Sequence, residues 1–432
     1  MKSKRKIGIG LLGLGVVGSE VASGITRELE RWEQRVGIPL ELMRVLVKDL
    51  TKVRPVQIDP ALLTTEPSSI INDPDVDVLV EMLGSIEPAN TYIRQAISKG
   101  KHVVTANKEV MAIYGAELIG LAESSGVNLL YEASVAGGIP IIGPLRKDLL
   151  ANEFSSLRAI INGTTNYILG RMAKEGVSFE SALLNAKELG YAEPDPSMDI
   201  DGTDAAHKMA ILASLVFHTK VSLDEVYKEG ISNLDATDFQ YAKEFGFEIK
   251  LLGIVNRNGN DLIIRVHPVL IPEGQLLAKV DGVFNAIELN GDLVGRIVVH
   301  GLGAGPYPTS SALIGDILEA ARSIHMNIKP HRGVSTNDGL NVVPMDSLVT
   351  EYYVRMSLAD RAGVLSKITS VFGDLDISIA SVIQKSVKSD GEIADFVIMT
   401  HPSLESHMRQ AIPRLTGLEE VKDVNNVIRV ER

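Results

Sequence analysis

Residues 6–33, KIGIGLLGLGVVGSEVASGITRELERWE, form the stretch that decides the fold. The apolar run at 6–12 predicts a buried strand, and the pattern at 15–33 predicts a helix. Between them lies the G-x-G-x-x-G turn GLGVVG, whose three glycines are Gly13, Gly15 and Gly18. Glycines at this spacing permit a tight turn, close approach of a pyrophosphate and close helix–strand packing. We therefore predict a dinucleotide-binding site whose phosphates face the N-terminus of the helix.

The alternation of apolar runs and helical patterns continues to residue 143. Strands are predicted at 40–47, 76–83, 102–105 and 127–132, and helices at 89–99 and 108–125. Strand and helix in repeated order favour a parallel, doubly wound sheet. We assign residues 1–143 to a dinucleotide-binding domain of Rossmann type and expect a helix at 301–325 to return to it.

Beyond residue 143 the pattern changes. Residues 144–300 mix strands with long helical patterns, which predicts an α+β domain. The turn-rich stretch 326–349 predicts a linker. From 350 to 432 the order strand, helix, strand, strand, helix, strand predicts a ferredoxin-like βαββαβ domain. The predicted fold class is therefore α/β, with three domains.

The composition excludes several classes of function. The chain has 432 residues and a formal net charge of −12, and an acidic chain repels a nucleic-acid backbone. It has no cysteine, which excludes disulfides, cysteine zinc sites and thiol nucleophiles. Basic residues at 2–6 outline a signal peptide, but the apolar stretch after them is too short and too rich in glycine to span a bilayer. We expect a cytoplasmic protein without nucleic-acid or membrane partners.

The end of the second predicted strand bears on the choice between NAD and NADP. An acidic residue is expected there when NAD is preferred, and the sequence has Lys48 and Asp49, then Lys52 and Arg54. The basic side chains suit the 2′-phosphate of NADP, whereas Asp49 suits the 2′-hydroxyl of NAD. Both cofactors stay open at this point, with NADP slightly favoured.

Lys108, in the stretch VTANKE at 104–109, is a further candidate site residue. A predicted strand ends at Thr105 and a helix begins near Asn107, and the sites of open parallel sheets lie at the carboxyl ends of their strands. We therefore predict that Lys108 contacts a cofactor or an anionic substrate group. A lysine that faces solvent at a helix start is the alternative.

The densest group of charges is GYAEPDPSMDIDGTDAAHK at 190–208, where five carboxylates fall within twelve residues. Asp204 and Lys208 are four residues apart and share one helix face. A lysine paired with a carboxylate can donate a proton to a developing alkoxide, and the other carboxylates suit a substrate ammonium. A calcium-like loop or a solvated turn is the alternative, although calcium loops need a tighter, glycine-centred spacing.

Taken together, these motifs resemble homoserine dehydrogenase over essentially the whole chain. The resemblance is carried, in family order, by GLGVVG, VTANKE, YEASVAGGIPII, INGTTNYIL, GYAEPDPSMDIDGTDAAHK and GLGAGPYPTSSA. It implies reduction of L-aspartate 4-semialdehyde to L-homoserine with NADP or NAD, on the route to threonine and methionine. The predicted C-terminal domain resembles an ACT domain.

The resemblance also implies roles for single residues. The cofactor would lie along the residues Gly13, Gly15, Val16, Val17, Gly18, Lys108 and Gly303. The catalytic pair would be Asp204 and Lys208, with Lys208 as the proton donor. The substrate would be bound by Glu193, Asp199 and Lys108. A structural sodium ion would be held through carbonyl oxygens in the loop with Glu132, Val135, Gly137 and Ile139.

The resemblance gives the C-terminal domain a regulatory role. ACT domains bind small amino acids, and the ligand would sit at the loop between the first strand and helix, with Asp360, Gly363, Val364 and Leu365. Threonine, as the end product, is the expected inhibitor. A tail that only dimerises the enzyme, or that has lost its ligand, is the alternative. We expect a homodimer or a larger homo-oligomer.

Two other functions stay open at this stage. The first is an ACT-bearing hydroxy-acid dehydrogenase similar to phosphoglycerate dehydrogenase, although that family usually carries its glycine motif mid-chain and this motif begins at residue 13. The second is a non-catalytic amino-acid sensor. The intact set of Glu193, Asp204 and Lys208 disfavours the sensor.

Overall fold

A computed structural model describes residues 6–329, 339–387 and 393–432. Residues 330–338 of the predicted linker lie outside the described residues. The chain divides into two units. The first unit consists of Met1–Phe154, His207–Leu223 and Gly291–Gly339. The second consists of Ser155–Ala206, Asp224–Asn290 and Leu340–Arg432.

Strands and helices alternate in the first 146 residues. The strands are β1 Ile7–Leu12, β2 Leu40–Leu46, β3 Leu63–Thr64, β4 Val78–Glu81, β5 His102–Thr105 and β6 Leu129–Leu130. The helices are α1 Val16–Arg27, α2 Leu29–Val36, α3 Ser68–Ile71, α4 Ala89–Ser98, α5 Lys108–Ser125 and α6 Ile142–Arg146.

The remaining elements follow in chain order. Up to residue 325 the strands are β7 Phe154–Ile160, β8 Tyr227–Lys228, β9 Phe247–Asn258, β10 Asp261–Pro272, β11 Phe284–Gly291 and β12 Gly295–Leu302. The helices are α7 Gly163–Glu175, α8 Phe179–Glu188, α9 Ser197–Ile200, α10 Thr203–Val216, α11 Ala236–Glu244 and α12 Pro306–His325. After them come β13 Asn341–Val342, β14 Val349–Ala359, α13 Val364–Gly373, β15 Ile379–Val387, β16 Ile393–Thr400, β17 Ser403–Leu404, α14 Glu405–Thr416 and β18 Val421–Val430.

The first unit is built on a parallel sheet in the order β3-β2-β1-β4-β5-β6. Every residue of β1 is buried, as expected for a central parallel strand covered on both faces. Helix α12 contributes Leu313 and Ile317 to the same core as β1. The predicted Rossmann-type sheet is confirmed, and its parallel strands bring the ends of β1, β4 and β5 to one edge.

The predicted helix at 15–33 is divided in the structure. Helix α1 ends at Arg27, Glu28 has φ −111° and ψ 16°, and α2 then begins at Leu29. The Thr26 hydroxyl donates to the carbonyl oxygens of Ala22 and Ser23, at 3.1 and 3.0 Å, a contact that bends helices. The change of direction lets α2 bury Trp32, which the amphipathic pattern did not reveal.

The second unit has its own sheet, which includes the run β11-β7-β9-β10-β18-β14-β16-β15. Strands β7, β9 and β10 pair antiparallel, and β18 joins β10 in a short parallel pairing at residues 429–430. Strand β13 also pairs with β10, so residues 341–342 of the predicted linker belong to this sheet. The predicted α+β character of the middle region is confirmed.

The C-terminal part has the predicted βαββαβ order, made by β14, α13, β15, β16, α14 and β18. Its strands lie in the order β18-β14-β16-β15, with antiparallel pairings. The buried side chains between sheet and helices include Tyr352, Ile368, Phe372 and Leu415. The predicted ferredoxin-like fold is confirmed. Across the described part of the chain, no helix has the length and apolar character needed to cross a bilayer.

Candidate active site

The GLGVVG turn joins β1 to α1. Gly13 has a φ of +109°, a value that glycine adopts readily and other residues do not. A methyl group added to Gly18 would lie 2.5 Å from the carbonyl oxygen of Gly13, so this turn of α1 leaves no room for a side chain. No described atom lies within 4 Å of the corresponding position at Gly15, and Val16 is exposed. The N–H groups in the first turn of α1 therefore face accessible space, and this arrangement fits an anionic pyrophosphate.

The chain after β2 lines a cavity of about 370 Å³. Its wall includes Lys52, Arg54 and, from the glycine turn, Leu14. Lys48 is exposed and does not belong to the lining. Of the predicted basic residues at this end of the sheet, Lys52 and Arg54 are therefore the two that share a cavity.

Hydrogen bonds fold the segment that carries Arg54 back on itself. The guanidinium of Arg54 donates to the carbonyl oxygens of Asp49, at 2.5 Å, and Lys52, at 2.8 Å. The carboxylate of Asp49 accepts from the hydroxyl and the N–H of Thr51, and these bonds lower the pKa of Asp49. Asp49 is thus committed to its own turn.

A buried polar network lies at the carboxyl ends of β4 and β5. Glu81, fully buried, accepts from the hydroxyl of Thr105 at 2.5 Å and from the N–H of Leu83 at 2.7 Å. The Thr105 hydroxyl accepts in turn from the N–H of Asn107 at 3.0 Å. Burial raises the pKa of the Glu81 carboxyl despite these bonds. Sequence analysis did not identify Glu81.

Asn107 caps α5 and thereby fixes the start of the helix at Lys108. Its side-chain oxygen accepts from the N–H of Val110 at 3.1 Å, and its amide donates to the carbonyl oxygen of Ser85 at 2.8 Å. Lys108 is half-buried at the first position of α5. The predicted strand–helix junction at this residue is confirmed.

The loop at 132–139 packs against the turn before α12. A methyl group on Gly137, whose φ is +52°, would lie 2.5 Å from the carbonyl oxygen of Gly303. The N–H of Gly138 donates to the carbonyl oxygen of Leu302 at 3.2 Å. The structure thus brings together Gly137, predicted for a metal site, and Gly303, predicted for the cofactor.

The side chain of Glu132 is fully engaged by the protein. Its carboxylate accepts N–H groups from Ile141, Ile142 and Gly143, at 2.6, 2.9 and 2.6 Å. The N–H of Glu132 donates to Asp316 at 2.9 Å, and burial raises the pKa of Asp316 well above its usual range. The carbonyl oxygen of Glu132 accepts from the N–H of Val135 at 3.4 Å.

Backbone oxygens in this loop fit a monovalent cation. Among the described residues, no N–H or O–H donates to the carbonyl oxygens of Val135, Gly137 or Ile139. Carbonyl oxygens suit hard cations, and three of them lie within five residues. A side-chain cluster of three His, Asp or Glu able to hold a metal was not found in the described part of the chain.

Asn162 connects two of the predicted site carboxylates. Its amide nitrogen donates to Oδ1 of Asp199 at 2.6 Å and to Oδ2 of Asp204 at 2.8 Å. Its side-chain oxygen accepts from the N–H of Thr165 at 2.8 Å and so caps α7. Asn162, Asp204 and Thr165 are buried. One neutral donor, the amide of Asn162, therefore binds both Asp199 and Asp204.

The remaining residues of the acidic loop differ in exposure. Asp204 and Lys208 lie on α10, one turn apart, with Lys208 half-buried. Glu193 is exposed and joins none of the hydrogen bonds of Asn162.

The predicted effector loop is held at the end of β14. Gly363 has a φ of +92° and precedes α13, and Val364 is buried in the core below. Leu365 is exposed, and Asp360 accepts from the amide of Gln384 at 3.2 Å. These residues are therefore neighbours, with the side chain of Val364 turned inward.

The ACT-type domain also contacts the segment that follows the acidic loop. Arg429 of β18 donates to Glu229 at 2.8 Å and to the hydroxyl of Tyr227 at 3.2 Å. Lys228, between them, donates to Asp201 at 3.2 Å. A continuous series of contacts within the second unit thus runs from β18 to the loop that carries Asp199.

Comparison with known proteins identifies the family. Residues 140–318 match the family model of homoserine dehydrogenase, residues 13–132 match the NAD-binding domain of homoserine dehydrogenase, and residues 352–417 match the ACT domain. A homoserine dehydrogenase of Neisseria gonorrhoeae is 41% identical over 99% of both chains. The chain belongs to the homoserine dehydrogenase family.

Solved structures agree with this assignment. The crystal structure of a homoserine dehydrogenase from Thiobacillus denitrificans is 41% identical, covers 99% of this chain and 98% of its own, and gives a TM-score of 0.91. A homoserine dehydrogenase of S. aureus is 33% identical, covers 99% of both chains and gives 0.78. An archaeal homoserine dehydrogenase in complex with NADPH is 27% identical, covers 73% of this chain and 97% of its own, and gives 0.62.

The expected activity is therefore confirmed. The chain is an oxidoreductase that interconverts L-aspartate 4-semialdehyde and L-homoserine with a nicotinamide cofactor, and it carries an ACT domain for regulation. The relatives favour neither a hydroxy-acid dehydrogenase nor a non-catalytic sensor.

Proposed function

We propose that Lys208 and Asp204 are the catalytic residues of this homoserine dehydrogenase. The observation that carries the proposal is the pair of hydrogen bonds by which Asn162 holds Asp204 beside Asp199. Asp204 is buried and lies one helical turn before Lys208, on the same face of α10. A buried carboxylate favours the charged form of a neighbouring lysine and orients it.

In the reducing direction, negative charge develops on the aldehyde oxygen of the substrate. Lys208 stabilises that charge and donates the proton that completes the alcohol, while Asp204 orients the ammonium group of Lys208. The bound nicotinamide supplies the hydride that the aldehyde carbon accepts. In the oxidising direction Lys208 takes back the hydroxyl proton.

The substrate is an amino acid, so its binding residues must recognise an ammonium and a carboxylate. We assign the ammonium to Glu193 and Asp199, because carboxylates are the natural partners of that group. Lys108 is assigned to the cofactor and the substrate, since it opens α5 at the carboxyl edge of the sheet. The phosphates are assigned to the N–H groups of Val16, Val17 and Gly18, with Gly303 beside the cofactor.

The catalytic pair is tested by homoserine-dependent reduction of the nicotinamide, with Lys208→Ala and Asp204→Asn beside the parent. We expect kcat to fall by about 1000-fold for Lys208→Ala, the range of general acid–base catalysis. Cofactor binding, measured by fluorescence titration, stays at the parent level. Lys243→Ala, an exposed helical lysine, is the control. Turnover of Lys208→Ala near the parent rate would remove Lys208 as the proton donor.

We propose NADP as the preferred cofactor. The support is the cavity after β2, where Lys52 and Arg54 meet while Asp49 is committed to Thr51. Exchange of Lys52 for Ala is expected to raise KM for NADPH by about 10-fold, as for one charged hydrogen bond, and to leave KM for NADH unchanged. An equal change for both cofactors would contradict this assignment. Lys48 remains a third basic residue near the same strand end.

We propose a structural sodium ion at the carbonyl oxygens of Glu132, Val135, Gly137 and Ile139. It would stabilise the loop that packs on Gly303. The measurement is thermal unfolding in sodium chloride and in choline chloride at equal ionic strength. A higher Tm in sodium supports the site, and identical values would remove it.

We propose that threonine binds at Asp360, Gly363, Val364 and Leu365 and inhibits the enzyme. The contacts of Arg429 with Glu229 supply a route from this domain to the acidic loop. Glu229→Gln keeps a hydrogen-bond acceptor and removes a charge; we expect weaker inhibition with unchanged uninhibited kcat. If Glu229→Gln needs the same threonine concentration as the parent for half-inhibition, this route is excluded.

We further propose a homodimer or larger homo-oligomer in the cytoplasm. Strand β15 ends the run of strands in the second unit, and an edge strand offers backbone groups to a second copy. The lack of cysteine fits a reducing compartment. Light scattering coupled to gel filtration tests the assembly, and a monomer mass would contradict it.

A further inference from the structure

We infer that Asn162 is a positioning residue of the reaction, one that keeps Asp199 and Asp204 ionised and fixed in place. The inference rests on the roles proposed above for those two carboxylates. It concerns a residue that does not itself touch the reacting atoms, and it is carried by the hydrogen bonds of one side chain.

The side chain of Asn162 uses all its polar atoms. Both amide hydrogens have acceptors, at 2.6 Å on Asp199 and 2.8 Å on Asp204. The oxygen accepts from the N–H and the hydroxyl of Thr165, at 2.8 and 3.0 Å. Reversal of the amide would place its oxygen against two carboxylates and its nitrogen against a donor. The orientation is therefore determined by the contacts on both sides.

A neutral double donor has a specific electrostatic effect on two acids. Hydrogen bonds to an ionised carboxylate favour the charged form and lower its pKa. Asp204 is only 3% exposed, so water cannot supply this stabilisation freely. A lysine in place of Asn162 would add a charge, and an aspartate would repel both acids. An amide donates to both without changing the net charge.

The backbone around Asn162 keeps its side chain in place. Strand β7 ends two residues earlier, and α7 begins at the next residue. A methyl group on Gly163 would lie 2.6 Å from the carbonyl oxygen of Val283, so the start of α7 is packed against a neighbouring loop. Asn162 therefore projects from a junction with little freedom to move.

Asn166, one turn further along α7, provides a matched comparison. It is also buried, and its amide donates to the carbonyl oxygens of Val280, Gly282 and Phe284, at 3.1, 3.0 and 3.2 Å. It contacts neither Asp199 nor Asp204 through these bonds. A variant at Asn166 therefore removes comparable buried hydrogen bonds without removing donors from the predicted catalytic carboxylates.

The test uses the full chain with Asn162→Ser and Asn162→Asp. Serine and aspartate are both good helix caps, so either substitution retains the start of α7 while it removes the amide donors. We expect kcat for homoserine oxidation to fall by about 100-fold, the effect of a small misplacement of reacting groups. The acid limb of the kcat profile moves to higher pH, further for Asn162→Asp, because a third carboxylate adds repulsion.

Two comparisons separate the possible results. Asn166→Ser is expected to lower Tm and to leave the pH profile of kcat at its parent position. If the pH profile of kcat keeps its parent position in Asn162→Ser and Asn162→Asp, with kcat near the parent value, the inference is overturned. Equal losses in the Asn162 and Asn166 variants without any pH shift would also overturn it, since that is the result of a structural role.

The proposed catalytic role is judged separately through Asp204→Asn. If Asp204→Asn abolishes turnover while Asn162→Ser retains it, the role of Asp204 stands and the inference about Asn162 is wrong. If Asp204→Asn turns over at the parent rate, the proposed catalytic role itself is wrong. Unchanged cofactor binding in every variant shows that the nucleotide site is intact.

Discussion

Two helix starts in this molecule have the same local form and different partners. Asn107 caps α5 and Asn162 caps α7, each two residues after a strand ends, and each accepts an N–H from three residues ahead. The amide of Asn107 donates to the carbonyl oxygen of Ser85, and its side chain also hydrogen-bonds the buried carboxylate of Glu81. The amide of Asn162 donates to two carboxylates.

The comparison shows that an asparagine that caps a helix can also bind a second group through its amide. A cap uses only the side-chain oxygen of asparagine and leaves both amide hydrogens for other acceptors. At Asn107 the side chain binds Ser85 and the Glu81 carboxylate, both within the nucleotide-binding unit. At Asn162 the amide donates to Asp199 and Asp204 of the acidic loop, and we propose that Asn162 serves the reaction whereas Asn107 serves stability.

Among substitutions outside the proposed catalytic pair and Asn162, Glu193→Gln has the largest expected effect, and it tests the acidic-loop side of this comparison. Loss of a charged hydrogen bond to the substrate ammonium costs about 1.5–3 kcal/mol, so we expect KM for homoserine to rise by about 10- to 100-fold. KM for the cofactor stays unchanged. Steady-state kinetics measures both values, with Glu188→Gln, an exposed glutamate of α8, as the control. Equal KM values for parent and variant would exclude Glu193 from substrate binding.

Substitution His102→Asn tests the strand that leads to Asn107. Burial lowers the pKa of His102 from 6.5 to about 4, and its Nδ1 accepts from the N–H of Asn128 at 3.2 Å. The unfolded chain therefore takes up a proton at higher pH than the folded chain, and stability falls as pH drops from 6.5 towards 4.

This linkage gives a measurable difference between parent and variant. Between pH 7.5 and pH 5 the parent loses about 2 kcal/mol of unfolding free energy through His102. The asparagine side chain of the variant cannot titrate but can still accept the hydrogen bond, so that part of the loss vanishes. Urea unfolding at both pH values measures it. An identical pH dependence in the two proteins would show that His102 titrates normally.

Substitution Asn107→Ser sharpens the comparison on the nucleotide side. Serine keeps the cap on α5 and loses the hydrogen bonds of the Asn107 side chain to Ser85 and Glu81, so we expect a loss of about 1 kcal/mol in stability. Denaturant midpoints measure it, with Ser124→Ala, at the exposed end of α5, as the control. A variant as stable as the parent would mean that the hydrogen bonds to Ser85 and Glu81 make no net contribution to stability.

Substitution Gly363→Asp has the smallest expected effect on the uninhibited enzyme. A side chain at a φ of +92° is strained, and a carboxylate there repels the carboxylate of an amino-acid effector. We expect half-inhibition by threonine to need roughly 5-fold more effector, with unchanged kcat in its absence. Gly373→Asp, at the other end of α13, is the control. Inhibition at the parent concentration would place the effector elsewhere.

Much of this molecule could be predicted from its sequence. The glycine spacing at 13–18 and the apolar run before it were enough for the nucleotide turn, because both are local patterns. The βαββαβ tail was readable for the same reason. Asp204 and Lys208 were paired correctly on one helix because a spacing of four residues fixes their common face.

Features that depend on distant contacts could not be predicted. Asn162 lies 37 and 42 residues from the two acids that it binds, and no periodicity reports such a contact. Sequence analysis did not identify Asn162 as a helix cap. Glu81 likewise looks like a strand residue until the fold brings Thr105 beside it.

The most direct test of the contrast is to record kcat against pH for Asn162→Ser and Asn107→Ser together with the parent. The account predicts that the acid limb moves to higher pH for Asn162→Ser alone, because only that variant removes donors from Asp199 and Asp204, the carboxylates proposed to act in the reaction. An unmoved limb in both variants, or an equal shift in both, would contradict the claim that the two caps serve different ends.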